Sequence, residues 1–292
     1  MNEMPTYTKE KISYGNSVTG RIAKIKQPYG GYIRLSAFDK KNMDDGIILH
    51  EKENVHGTII GLVVDYMTRF MMGTDIKEAF DVSLYGAKFA QTFTKEEIFA
   101  DAVMLLIRIK GLDEQSIINA CKLVTFDIWK RNPLGAAKAI NYKEMNPDKD
   151  TIENIITMIK RSIKFFEEYG PVVKDGFNFE PVNATMDDYM KMMNSKEGSF
   201  GGYTAVVSSG DGDFLTKDTL WDFKVIKSNP QSKDTLQILM YWIMGQHSGQ
   251  ECFKTIDKIG FFNPRSNIIY TRNIKTIPDE IIKTVEKEVI CY

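Results

Sequence analysis

The sequence predicts an α/β (α+β) fold with a helix-rich N-terminal half and a small β-sheet in the C-terminal half. Two observations predict it. Between residues 56 and 170 apolar residues recur every three or four positions, the spacing of helices with one buried face. Beyond residue 200, short β-branched and aromatic runs alternate with turn residues and are interrupted by a single helical stretch. A sheet built this way needs helices to cover it.

Residues 1–55 read as an N-terminal arm, 56–170 as a helical region continuous with the core, and 171–292 as the core itself. In the arm, Arg21, Lys24, Lys26 and Arg34 are interleaved with Tyr29 and Tyr32 around a Pro-Tyr-Gly-Gly-Tyr turn. Such a pattern suits either a surface arm packed over the first helix or contacts to a nucleic-acid strand. The first helix starts near His56-Gly57, with Ile60, Val63, Val64, Met67 and Met71 on its core face. Further helices are expected over 75–91, 95–109, 113–131 and 151–169, with Thr74-Asp75 and Thr94–Glu97 as start signals. In the last of these, Lys160, Arg161 and Lys164 lie partly opposite the apolar face, as a solvated surface or one wall of a channel. Residues 171–202 read as irregular, with a short helix near 186–193, and Glu180 is an acidic side chain just before the sheet. A strand over 203–207, a helix over 233–246, a second hairpin turning at Pro264-Arg265-Ser266 and a C-terminal helix after Pro278 complete the chain. Arg265 at that tip is a candidate phosphate contact.

The central stretch is Asp211–Lys224. With Lys217 and Asp218 as a two-residue turn, Leu215 faces Leu220, Phe214 faces Trp221 and Asp213 faces Asp222. Alternation then places Asp211, Asp213, Asp222 and Lys224 on one face and Phe214, Trp221 and Phe223 on the other. Opposed like charges destabilise a hairpin unless a cation neutralises them, and oxygen ligands favour Mg2+ or Mn2+ over zinc. An EF-hand is excluded, because Leu215 and Thr216 stand where that loop needs an oxygen ligand and a glycine.

Asp213, Asp222-Phe-Lys224 and Gln237-Ile-Leu-Met-Tyr241 follow one another in a pattern that resembles the PD-(D/E)XK nuclease superfamily, in its RecB-like branch. The resemblance covers roughly residues 200–275. It implies a small mixed central sheet of the restriction-endonuclease-like type and a Mg2+- or Mn2+-dependent nuclease acting on nucleic acid, foremost DNA. In that reading Asp213 and Asp222 bind the metal, Lys224 orients the attacking water or stabilises developing charge, and Gln237 and Tyr241 brace the site or touch the substrate backbone. The branch commonly carries Gly-x-x-x-His on an early helix; here Gly61–Asp65 sets a carboxylate in its place. Asp65 is therefore either a third ligand or the partner of Arg69 in a plain i, i+4 ion pair. Asp211 competes with Asp213 for the strand position.

Composition narrows the classes. A formal net charge of −1 gives no global basic field, so any basic contact to nucleic acid must be local. Cys121, Cys252 and Cys291 form no Cys-x-x-Cys and are too few for the four-cysteine iron–sulfur cluster of some RecB-like nucleases, so none is expected. The three histidines, His50, His56 and His247, lack ligand spacing. Neither a leader segment nor an apolar run of membrane-spanning length is read, which suggests a cytoplasmic protein with no membrane contact. The rival class is a non-catalytic scaffold of the same fold that binds DNA or a protein. A small-anion binder ranks last, because no glycine-rich loop precedes a helix.

Overall fold

The computed structural model describes residues 16–93, 97–138, 140–183, 185–194 and 198–292. The expected capping position Thr94 and residues 1–15, the start of the N-terminal arm, lie outside these residues.

The helical half consists of α2 (Gly57–Met71), α3 (Ile76–Ala79), α4 (Asp81–Gln91), α5 (Ile98–Ile107), α6 (Glu114–Val124), α7 (Asp127–Arg131) and α8 (Lys149–Tyr169), preceded by a short α1 (Val18–Ile22). Two expected helices are each split. The 75–91 stretch breaks at Phe80, which is fully buried, and the 113–131 stretch breaks at Thr125-Phe126. In the first case the phenyl ring packs edge-on against Tyr66 of α2, with centroids 5.4 Å apart, so burial of the ring overrides helix continuity. The Asp75 side chain caps α3 through the Lys77 amide, and Asp148 caps α8 through that of Thr151.

The core is a six-stranded sheet of β1 (Asp39–Asn42), β2 (Lys174–Phe177), β3 (Gly212–Leu215), β4 (Thr219–Phe223), β5 (Lys258–Asn263) and β6 (Ile268–Asn273), in the spatial order β1-β6-β5-β4-β3-β2. Only the β4–β5 pair is parallel, and α10 (Ser232–Ser248) makes that crossover. The sheet is therefore mixed and flanked by helices. The hairpin has the register read from sequence, with Phe214 opposite Trp221 and Leu215 opposite Leu220.

Alternation along β3 and β4 divides the side chains between two cores. Leu215 and Leu220 join Leu236, Leu239, Met240 and Ile243 of α10, while Phe214 and Trp221 join Phe165 and Phe166 at the C-terminal end of α8. Phe165 stacks on Phe262 with centroids 4.4 Å apart and meets Trp221 edge-on at 4.7 Å. Gly260 sits opposite Trp221 in the ladder, and a Cβ there would lie 2.4 Å from the indole ring. The N-terminal half of α8 buries Ile152, Ile155, Met158 and Ile159 in the helical core, so one helix serves both halves of the molecule.

Three sequence expectations need correction. The segment after residue 15 is not a surface arm: Val18, Ile22, Ile33 and Phe38 are buried with α10, and β1 is an edge strand of the sheet. Arg21 donates to the carbonyls of Val289 and Glu288 near the chain's end, which commits it to the fold, whereas Tyr29 is exposed. Residues 174–177, expected to be irregular, form the other edge strand. Residues 203–207 lie outside the sheet, as a pair of strand fragments: Tyr203–Thr204 pairs with Ser199–Phe200, and Val207–Ser209 pairs with Asn16–Ser17. The short helix near 186–193 is present as α9 (Met186–Asn194), and the C-terminal helix as α11 (Asp279–Thr284), continued by a π-helical turn over Val285–Ile290.

Candidate metal centre

Asp213 on β3 and Asp222 on β4 project toward α10 by the same alternation that sends Phe214 and Trp221 the other way. Lys224, two residues beyond Asp222, follows it onto that side. Its ammonium lies 2.8 Å from Asp222 Oδ2, 3.6 Å from Asp234 Oδ1 and 2.9 Å from Gln237 Oε1. Gln237 Nε2 donates in turn to the Tyr241 hydroxyl at 2.7 Å. The i, i+4 spacing on α10 puts both on the face that covers the sheet. Of the residues singled out by sequence, Asp213, Asp222, Lys224, Gln237 and Tyr241 thus meet in one cleft of about 930 Å³.

Charge in this cleft is unbalanced. Burial, then the neighbouring Asp222 and Asp65 charges, holds the Asp213 carboxyl well above the usual carboxylate range, although Arg69 and the Phe223 amide pull it down. That amide donates to Asp213 Oδ2 at 2.6 Å. Burial also raises Asp222, against the Lys224 charge. For Lys224 burial favours loss of the proton, but the Asp222 and Asp234 charges outweigh it and raise its pKa. Tyr241 is pushed well above the ordinary phenol value by burial and by the Asp222 charge. It is a neutral hydrogen-bonding group at neutral pH.

Asp222 Oδ2 is buried and accepts no hydrogen bond: Lys224 lies close to it but off a hydrogen-bonding line. A buried carboxylate oxygen met only by an ammonium, beside a second, half-buried carboxyl, is a set of oxygens that suits a hard divalent cation. Mg2+ keeps several waters and takes only one or two carboxylates from a protein, so Asp213 and Asp222 are the residues that could hold it.

Asp65 lines the same cleft, but both its oxygens face Arg69, at 2.9 Å and 3.3 Å. Arg69 also reaches Asp175 Oδ1 at 3.3 Å and lies over the Phe214 ring. Gly176 has φ +63°, and a Cβ there would sit 3.1 Å from Arg69 Nη1, so the strand leaves room for this guanidinium. Asp65, Asp213 and Asp222 consequently do not close around one point. Among the described residues, the group of three His, Cys, Asp or Glu side chains with ligand atoms within 4.8 Å of one another is His50, Asp150 and Glu153, all exposed. His50 Nε2 bonds Glu153 at 2.8 Å and its Nδ1 lies 3.7 Å from Asp150, the geometry of a surface ion pair.

The other sequence candidates are placed differently. Asp211 lines the same cleft but is exposed ahead of β3; its charge acts on Arg131, Tyr203 and Tyr241, while Asp213 stands nearer Asp222. Glu180 is exposed and does not line the cleft. Arg265 is buried against Glu53 at 2.6 Å instead of standing free at a hairpin tip. Arg161 is buried too, bound to Asp45 and to the carbonyls of Ile47, Pro264 and Arg265, whereas Lys160 and Lys164 are exposed. Sequence reasoning missed Asp175, Asp234 and Arg131. Asp234 carried a signal, since it stands three residues after the N-cap Gln231 and completes a capping box. Asp175 carried none, because the edge strand Lys-Asp-Gly-Phe shows no periodicity.

Comparison of the chain with protein-family models, curated proteins and solved structures finds no match in any of the three. Among the described residues, no helix is long and apolar enough to cross a membrane.

Proposed function

We propose that the protein is a Mg2+- or Mn2+-dependent nuclease that hydrolyses phosphodiester bonds in nucleic acid, DNA foremost. The observation that carries this reading is the buried Asp222 carboxylate, set beside Asp213 and paired with the Lys224 ammonium in one cleft. The motif order of the resemblance supports it: an Asp on one strand, Asp-x-Lys on the next and Gln-x-x-x-Tyr on the following helix.

Asp213 and Asp222 would hold the cation, which supplies an activated water and charge for the scissile phosphate. Lys224 presents a fixed ammonium at the wall where phosphate charge develops, already oriented by Asp222, Asp234 and Gln237. Gln237 and Tyr241 keep that ammonium from turning away. Asp65 enters the ligand set only if it leaves Arg69.

The held Asp65 favours a second reading, a nuclease-like scaffold that binds DNA or a protein without cutting. Incubating the purified protein with labelled linear and circular DNA, with Mg2+, Mn2+ or EDTA, separates the two. Metal-dependent cleavage abolished by Asp222→Asn upholds the nuclease. Binding without cleavage under either metal moves the assignment to the scaffold.

A further inference from the structure

Arg131, at the end of α7, lines the cleft from the helical half, opposite the sheet that carries Asp213 and Asp222. Its setting is unusual for a surface cation. Asp127 is buried, and takes hydrogen bonds from Ser83 Oγ at 2.5 Å and from the Tyr66 hydroxyl at 2.6 Å. The Tyr66 oxygen accepts in turn from Arg131 Nη2 at 3.1 Å. Arg131 Nε lies 3.6 Å from Asp127 Oδ2, outside hydrogen-bonding reach, and the arginine side chain keeps 44% of its surface exposed.

A guanidinium serving only to neutralise Asp127 would close on it with two parallel hydrogen bonds. Here a hydroxyl stands between them, and Arg131 Nη1 makes no hydrogen bond to the described residues. Tyr66 and Asp127, with Ser83 behind them, hold the guanidinium from one side, and Arg131 lines the cleft there beside the exposed Asp211, whose charge reaches it. Of the remaining cations of the wall, Lys227 has a side chain 66% exposed that donates to the Glu51 carbonyl at 3.1 Å, while three others are committed to acids. Arg69 is taken up by Asp65 and Asp175, and Arg265 by Glu53. Lys224 is taken up by Asp222 and Gln237.

We propose that Arg131 is a substrate-binding residue that takes a backbone phosphate of the nucleic-acid strand lying in the cleft, with Tyr66 and Asp127 as its positioning residues. This rests on the nuclease reading and names the contact on the wall facing the metal carboxylates. A planar fork suits the paired oxygens of a phosphodiester. The contact is blind to base identity, so it supplies affinity and register without sequence preference.

The test is binding of a short fluorescent thymidine oligonucleotide in EDTA over a salt titration, with cleavage measured separately in Mn2+. Arg131→Gln should weaken binding roughly tenfold and lower the slope of log affinity against log salt by about 0.7, the value for one phosphate contact to a single strand. Arg131→Lys keeps a cation beside Asp127, so it guards against loss of folding; it should keep the slope and lose part of the affinity. Tyr66→Phe should behave like the lysine variant, with the charge present but no longer aimed. Unchanged affinity and slope in Arg131→Gln would overturn the proposal, as would wild-type protein that does not bind the oligonucleotide. A slope that falls in Arg131→Gln, in a protein that cuts nothing with Mn2+, upholds the phosphate contact and removes the nuclease reading.

Discussion

The guanidinium of Arg69 grips the carboxylate of Asp65 at both oxygens, with Nε 2.9 Å from Oδ1 and Nη2 3.3 Å from Oδ2. Both side chains are mostly buried, at 19% and 17% exposure, so water screens the pair only partly. Arg69 thus acts as a resident cation beside Asp213, whose carboxyl it pulls downward in pKa. Its removal should release Asp65 and leave Asp65 and Asp175 without their counterion, with Lys224 still beside Asp222. Arg69→Met is expected to lower metal-free thermal stability and to tighten Mn2+ binding about tenfold, a change of ~1.4 kcal/mol. Adding Asp65→Ala should erase that gain. Calorimetric titration with Mn2+ reads both; equal affinity in wild type and Arg69→Met would show that Asp65 plays no part in metal binding.

Asp213 contributes to the pH dependence of stability, alongside Asp222, Asp175 and Asp127, whose carboxyl pKa values burial also raises. The folded pKa of Asp213 is raised, so the protonated form is favoured in the fold. The associated stability is fully present below the unfolded carboxyl value of about 3.9 and is lost as pH rises through the folded pKa. In EDTA the wild type should therefore lose melting temperature from mildly acidic to neutral pH. Asp213→Asn should reduce that loss and melt higher at neutral pH, the remainder coming from the other raised carboxyls. A divalent cation should restore the wild type and leave the asparagine variant unmoved, because a ligand that binds only the folded state stabilises it.

Lys224 separates binding from chemistry. Lys224→Ala should still fold, and it removes a cation that competes with the metal for Asp222. Mn2+ affinity should hold or rise while cleavage falls on the order of a hundredfold or more, the usual cost of losing one preorganised charge. An alanine variant that cuts at the parental rate would end the role assigned to this ammonium.

Phe165 tests the join between the two halves. It touches Trp221, Phe223 and Phe262 on the sheet's far face and is fully buried. Phe165→Ala should cost about 3–5 kcal/mol in urea unfolding. If α8 carries both cores as one unit, the transition should stay single while its midpoint falls. Two separate transitions would mean that the helical half and the sheet unfold independently.

What the sequence by itself determined is local. A two-residue turn at Lys217-Asp218 sets the hairpin register, and a period of two then forces Asp213 and Asp222 to one face and Phe214 and Trp221 to the other. The i, i+4 spacing sets Gln237 beneath Tyr241 in the same way. These relations follow from backbone geometry over a few residues, and they carried most of the site. Tertiary structure decided the rest. Whether Asp65 met Asp213 and Asp222 or Arg69 depended on Asp175 and Gly176, which arrive from a strand about a hundred residues later with no period to reveal it. Arg265 and Arg161 looked free because their partners, Glu53 and Asp45, are more than a hundred residues away in sequence. Local alternation says which way a side chain points; the partner that takes up its charge depends on contacts between segments that only folding brings together.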